Sequence, residues 1–301
     1  MSGKATSPSA LKRGKAVAVV GAGSLATFLA VALRESGYTI TEIIGRDVPQ
    51  SLRGARALAK KVRARAVTPS IAALEAELVW FCVPDREIRR AALLLAKRSV
   101  SKIKFAFHSS GALLSRELAP LRKAGVAVGS VHPLMTFVAG AHPSLAGVPF
   151  AIEGDAAAVR VARKIVRDLG GESLLLPASR KPAYHAWATM TSPLLLAFLV
   201  TLEEVARAAG LTREDARRMS LPIIRQTLQN YERLGSARSF SGPLVRGDAD
   251  TVAKHLTTLK KNSGAREVYV ALARAALRGL PVKHRLKIAR LLDDETGCEK
   301  T

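Results

Sequence analysis

Residues 17–37 read VAVVGAGSLATFLAVALRESG. A short apolar run enters a Gly-x-Gly-x-x-Ala turn, and the segment beyond it carries apolar residues at helical spacing. Read physically, this is a strand, a tight turn and a helix, the arrangement that cradles a dinucleotide. Gly21 permits the turn, Gly23 lets the backbone approach a pyrophosphate, and Ala26 stands where a third glycine is common and lets the helix pack closely on the strand. The free amides at the helix start, near Ser24 and Leu25, face the phosphates with the positive end of the helix dipole behind them. A second strand, 39–45, follows at once, as a Rossmann unit requires.

The end of that second strand selects the cofactor. A carboxylate there receives a ribose 2′-hydroxyl, whereas an arginine accommodates a 2′-phosphate. The chain reads Gly45-Arg46-Asp47, with Arg46 twenty residues after Ala26. Arg46 favours NADP; a register slip of one residue would put Asp47 on the ribose and favour NAD. Arg53 and Arg56 could assist the phosphate or form a solvated helix face.

Outward from the cradle the pattern stays α/β. Helices are expected over 51–62 and 70–76, strands over 66–68 and 78–83, and a helix opening at Pro84-Asp85. A strand over 103–107, a helix over 114–124 and a strand over 126–131 come next. A last unit, 149–153, 156–169 and 173–176, extends the sheet. Strands alternating with helices predict a doubly wound, mainly parallel sheet. After Pro177 the pattern is helical: 181–209 with a kink or interruption at Pro193, 212–234 capped by Thr212, 249–261, 265–277 and 282–292. The expected division is a disordered leader, 1–14, a Rossmann domain, 15–177, and a helical substrate or dimerisation domain, 178–301.

Bulk properties bound the function. The chain has 301 residues, 48% of them hydrophobic, which is enough for two cores and excludes a disordered protein. Cys82 and Cys298 are its two cysteines; they make neither a disulfide framework nor a metal site and suit a reducing cytoplasm. The formal charge is +23. Its Lys and Arg are spread along the chain without an aromatic platform, so the field favours a small anionic substrate and cofactor over nucleic acid. The uncharged stretch 183–202 contains Tyr184, His185 and Pro193 and runs into Glu203; it reads as a helix buried between domains or subunits rather than a membrane span.

Polar clusters interrupt apolar runs where strand ends converge, and open α/β sheets bind ligands at that edge. Val83-Pro84-Asp85 would run past the nicotinamide end of the cofactor. Ser109, Ser110 and Gly111 make a backbone-exposing turn for cofactor or substrate. His108, His132 and His185 are candidate proton donors, and Lys181, one helical turn before His185, could face the same cleft. Ser192 and Arg246 are candidate substrate contacts. Asp248 can cap the helix that follows it, and His255 reads as packing.

The stretches VAVVGAGSLA, LVWFCVPDREI, FAFHSSGAL, VHPLMTF, PAYHAWATMTSP and SGPLVRGDADTVAKHL, in this order, resemble the bacterial Rossmann-like oxidoreductases whose C-terminal helical domain carries only an unknown-function label. These are relatives of pyrroline-5-carboxylate reductase, ketopantoate reductase and deazaflavin-dependent NADP oxidoreductases. The resemblance implies NADP binding in the first domain, a dimerising helical second domain, and a cleft closed by the His-Pro-Leu, Tyr-His and Gly-Pro-x-x-Arg-Gly-Asp segments. The chain departs from it at Pro193, where an Asn commonly follows the serine of the long helix; Lys181 matches only loosely the helix lysine of related hydroxyacid dehydrogenases. The expected activity is reduction of a small C=O or C=N compound by hydride transfer with a cleft histidine as proton donor. The alternative is a non-catalytic NADP-binding sensor.

Overall fold

The computed structural model describes residues 16–141 and 144–294; the leader 1–14 and Cys298 lie outside them. The chain divides into two compact units, the first ending at Thr189 and the second beginning at Met190.

The first unit is built on one eight-stranded sheet. In chain order it runs β1 (Ala16–Val20), α1 (Ser24–Glu35), β2 (Thr39–Ile44), α2 (Pro49–Val62), β3 (Arg65–Val67), β4 (Leu78–Phe81) and α3 (Asp85–Ala96). Then come β5 (Phe105–His108), a 3-10 turn (Ser115–Leu118) leading into α4 (Ala119–Arg122), β6 (Ala127–Pro133), β7 (Pro149–Gly154), α5 (Ala156–Asp168), β8 (Glu172–Leu175) and α6 (Lys181–Thr191). The strand order is β3-β2-β1-β4-β5-β6-β7-β8. Strands from β3 to β6 are parallel; β7 turns antiparallel to β6, and β8 follows β7 in parallel. The order reverses between β1 and β4, so the carboxyl ends of β1, β2, β4 and β5 open one crevice at the switch point.

Alternation along each strand feeds two cores. Val17 and Val19 of β1 join one, Ala18 and Val20 the other. The first core takes the apolar stripe of α1, Ala26, Leu29, Ala30 and Leu33, at intervals of three and four residues. The second takes Ile88, Ala92 and Leu95 of α3. One expected element is not there: 70–76 is irregular rather than helical. Leu74 takes a left-handed conformation, and the buried Glu42 carboxylate accepts the amides of Ala73 and Leu74. A partner from β2 thus satisfies the backbone that a helix would have satisfied internally. The helix expected at 114–124 is likewise the 3-10 turn followed by the single turn of α4.

The boundary between units lies twelve residues beyond the expected one at 177, because the first turn of α6 is anchored on the sheet: Lys181 and Tyr184 are buried.

The second unit contains α7 (Pro193–Ala208), α8 (Arg213–Ser239), the short α9 (Pro243–Arg246), α10 (Ala249–Leu259), α11 (Ser263–Gly279) and α12 (Arg285–Asp294). Thr212 caps α8 and Asp248 caps α10, each accepting an amide with its side chain, as expected of those residue types. α8 continues past 234 to Ser239, with a break at Gly235. The core of the unit comes from α10, α11 and α12, with Val252, Leu256, Ile288 and Leu292 at its centre.

Pro193 interrupts the uncharged stretch as anticipated, leaving α6 with 11 residues and α7 with 16. By length and composition alone 178–208 is long and apolar enough to cross a membrane. The expectation that this helix is buried is not met within the chain. α7 has no buried residue, and Leu194, Leu195, Leu196 and Val200 are exposed.

Candidate active site

The glycine turn has the geometry that a pyrophosphate needs. Gly21 sits at φ +107°, and a Cβ built there would lie 2.3 Å from the Cys82 carbonyl oxygen and 3.1 Å from Val83. Any larger residue would have to displace the backbone of the neighbouring strand end. At Gly23 the Cβ direction is open space. Gly23 is also the N-cap of α1, without a side-chain cap on the first-turn amides, which leaves the amides around Ser24 and Leu25 available to an anion. The cradle therefore fits a dinucleotide: a closed floor against β4 and an open mouth at the helix terminus.

Arg46 follows β2 by two residues. Its amide donates to Ser51 Oγ at 2.9 Å, while the residue itself is exposed, as are Asp47, Arg53 and Arg56. On the far side of the crevice Val83 and Pro84 lead into α3, and Asp85 Oδ2 accepts from Ser110 Oγ at 2.8 Å. Ser109 Oγ accepts the Trp80 indole N–H at 2.9 Å. The sheet thus brings together all nine residues chosen for cofactor contact: Gly21, Gly23, Ser24, Leu25, Arg46, Val83, Pro84, Ser109 and Ser110 stand at the carboxyl ends of β1, β2, β4 and β5. A cavity of about 1180 Å³ opens at the same turn and runs down the outer side of α1 past Phe28 and Val31 to Glu35. None of the four candidate catalytic residues lines it, so only its mouth at Gly23 and Ser24 belongs to the crevice.

Those four meet farther along the edge. His108, Ser130 and Glu153 are register partners across β5, β6 and β7, a polar row on one face of the sheet. α6 lies over this row. Gly111 sits where a Cβ would come within 2.6 Å of His185 Cδ2 and 2.9 Å of His132 Nε2, so only a bare backbone leaves both rings in place. The His132 and His185 rings are 6.4 Å apart between centroids. Tyr184 stacks edge-on to His132, and its hydroxyl lies 2.8 Å from His132 Nδ1. Burial, with the positive potentials of His185 and Lys181, holds His132 down to about 4. Burial pushes the Tyr184 hydroxyl up to about 12. At neutral pH both groups are uncharged.

Two of the four candidate catalytic residues make other contacts. His108 is fully buried; its Nδ1 accepts the Ser110 amide at 3.1 Å, which leaves Nε2 as the donor to the Leu114 carbonyl at 3.0 Å. Both nitrogens are spent on the loop, and burial holds the ring near 4, so His108 shapes the Ser109–Leu114 turn rather than meeting a substrate. Lys181 is 1% exposed. Its ammonium donates to Ser130 Oγ and lies 3.5 Å from Glu153 Oε1. Burial lowers it to about 8 against the pull of Glu153. With its donors directed inward it is no direct acid at a substrate.

Sequence reasoning missed Glu153 altogether. Its carboxylate accepts the Ser115 amide at 2.6 Å and the Ser115 hydroxyl at 2.9 Å besides facing Lys181. The available signal was a charged residue closing the apolar strand PFAIEG. Tyr184 was noted only as a neighbour of His185. Ser192, between α6 and α7, and Arg246, the exposed last residue of α9, belong to the second unit.

Residues 1–133 match the model of the Rossmann-like domain, and residues 148–276 match that of a domain of unknown function, DUF2520. No curated protein matches the sequence. Solved structures share the fold. A Bacteroides fragilis protein provisionally described as an NADP oxidoreductase is 22% identical over 87% of this chain and 98% of its own, with a TM-score of 0.71. A Thermotoga maritima protein is 22% identical over 93% of this chain and 99% of its own, with a TM-score of 0.68. Plasmodium falciparum pyrroline carboxylate reductase, solved with NADP bound, is 13% identical over 87% of this chain and 98% of its own, with a TM-score of 0.55. The glycine turn at the switch point and the two matched domains agree: the chain joins a Rossmann-like domain to a C-terminal DUF2520 domain.

Proposed function

We propose that the chain is an NADP-dependent oxidoreductase that reduces a small, anionic C=N or C=O compound. The observation that carries this reading is the juxtaposition on one sheet edge of the open Gly21–Gly23 cradle and the neutral Tyr184–His132 pair against Gly111. A structural neighbour described as an NADP oxidoreductase and a pyrroline carboxylate reductase solved with NADP bound support the choice of cofactor, and Arg46 supplies the charge that a 2′-phosphate calls for. When bound, NADPH supplies hydride.

The residues of the chain bind and orient the heteroatom of the substrate. With the imidazole neutral, the Tyr184 hydroxyl donates to Nδ1 and the proton of His132 sits on Nε2, beside Gly111. That N–H is a hydrogen-bond donor for the heteroatom of the substrate. With its imidazolium form held to about 4, His132 is not protonated at pH 7 and is a poor acid there, which favours a substrate arriving with its own proton. An iminium is such a substrate: hydride addition at its carbon yields a neutral amine with no proton taken from the protein. His185, on the same rim, lines the substrate side.

The helical unit pairs, on this proposal, with a second copy of the chain. Its α7 face presents Leu194, Leu195, Leu196 and Val200 without cover, and Tyr184, His185 and the break at Pro193 within the same stretch favour a protein partner over a bilayer. The sparse cysteine usage, suited to a reducing compartment, supports a cytoplasmic location.

The test is consumption of NADPH by purified protein against a panel of cyclic imines, keto acids and aldehydes, with 1-pyrroline-5-carboxylate as the first member. Turnover of imines ahead of ketones is the expected result. Tight NADPH binding without turnover of any member would favour the sensor reading instead.

A further inference from the structure

We infer that Glu153 and Lys181 are a positioning pair, which locks the loop from His108 to Ser115 and the first turn of α6 to each other and so sets the gap between Gly111, His132 and His185. The inference takes from the proposed function only the identity of that gap as the reacting pocket.

Apart from the bond to the exposed Asp85, the connections are to backbone or to buried partners. Glu153 holds the far end of the loop through the amide and hydroxyl of Ser115. The near end is held through Ser130, whose hydroxyl donates to the Ser110 carbonyl at 3.2 Å and receives the Lys181 ammonium. Between these ends Ser110 Oγ accepts the amides of Ala112 and Leu113 and donates to Asp85 at the start of α3. Lys181 opens α6 on the turn that carries Tyr184 and His185. One ion pair therefore clamps both ends of the loop that bears Gly111 to the helix that bears the facing ring.

Buried ion pairs of this kind add little net stability relative to well-packed apolar residues, yet removing one partner is costly because it strands a charge. A positioning role and a purely structural one therefore predict different outcomes for single and double replacement. The charge of Lys181 also faces His108 from β5 and His132 from β6, with Glu153 from β7 and Asp85 from α3 as the opposing carboxylates. Its removal must shift the titration of His132.

The experiment compares the full-length protein with Glu153→Gln, Lys181→Met and the double Glu153→Leu/Lys181→Met. It uses NMR titration of ring-labelled histidines, calorimetric binding of NADPH, thermal unfolding, and turnover of 1-pyrroline-5-carboxylate or whichever imine in the panel is consumed. The single variants are expected to lower kcat by about tenfold or more with NADPH affinity retained. Lys181→Met is expected to raise the His132 midpoint, since a positive neighbour that lowers it is removed. The double variant is expected to recover the melting temperature but not kcat. Wild-type kcat in the double variant, or an unmoved His132 midpoint in Lys181→Met, would overturn the inference. So would failure of the double variant to fold, which would make the pair structural. Absence of NADPH binding in the wild type would sink the functional reading and leave the histidine titration and the melting comparison to decide this one.

Discussion

Acid should destabilise the sheet unit between pH 6.5 and 4, and His108 is the residue that fixes the size of the effect. Its ring has no exposure and both nitrogens are committed, Nδ1 to an N–H donor. Protonating Nδ1 would set a donor against a donor in a buried turn. Burial first, then the Lys181 charge, hold its pKa at about 4 against an ordinary 6.5. In the unfolded chain the ring takes its proton near 6.5. Over this window the unfolded state therefore binds more protons than the folded state, and stability falls with falling pH. One pKa unit corresponds to about 1.4 kcal/mol, so His108 alone removes roughly 3 kcal/mol by pH 4, a large share of the roughly 5–15 kcal/mol of a typical domain. His132, held at about 4 by burial and its positive neighbours, acts in the same direction. Carboxylates contribute their own losses mainly below this window. The assay is urea unfolding at closely spaced pH values for the wild type and His108→Gln, an isostere that can bond both main-chain partners without titrating. The variant should show a shallower pH dependence by about the His108 share. Equal slopes, or a His108 resonance that titrates near 6.5, would refute the reasoning.

Three further outcomes follow from the geometry. Gly111→Ala places a methyl group 2.6 Å from His185 and 2.9 Å from His132 Nε2, so turnover should fall by about a hundredfold with NADPH affinity within a few fold, read from steady-state kinetics and calorimetry. Tyr184→Phe removes the hydroxyl that orients Nδ1, and should cost about 1–2 kcal/mol of stability by chemical unfolding while lowering kcat more for ketones than for imines. Leu195→Asp on the exposed face of α7 should convert a dimer to a monomer in sedimentation; a wild type that already sediments as a monomer would contradict the second-copy proposal.

The sheet was legible because its signals are local. The strand before Gly21, the apolar stripe of α1 and the proline at the head of α7 each follow from a few neighbouring residues, and the structure places them as expected. The surroundings that the sequence could not express are those that depend on a distant partner. Nothing in the sequence around Ser70 announces that Glu42 will take the amides of Ala73 and Leu74 and leave no helix there. His108 and Lys181 have the chemistry of catalysts and lie at the right edge, but one is consumed by its own loop and the other by Ser130 and Glu153. Glu153 became visible only when the antiparallel pairing of β6 and β7 set it opposite Ser130. The reversal of β7 is a property of topology, which periodicity cannot express.

Whether the Gly21–Gly23 cradle and Arg46 hold NADP is decided by calorimetric titration of the wild type and Arg46→Ala with NADPH and with NADH. The wild type should bind NADPH tightly and NADH much more weakly, and Arg46→Ala should bind NADPH only as the wild type binds NADH. Binding of neither nucleotide would rule out the cradle as a dinucleotide site, and equal affinity for both, unchanged by the substitution, would rule out Arg46 as the selector.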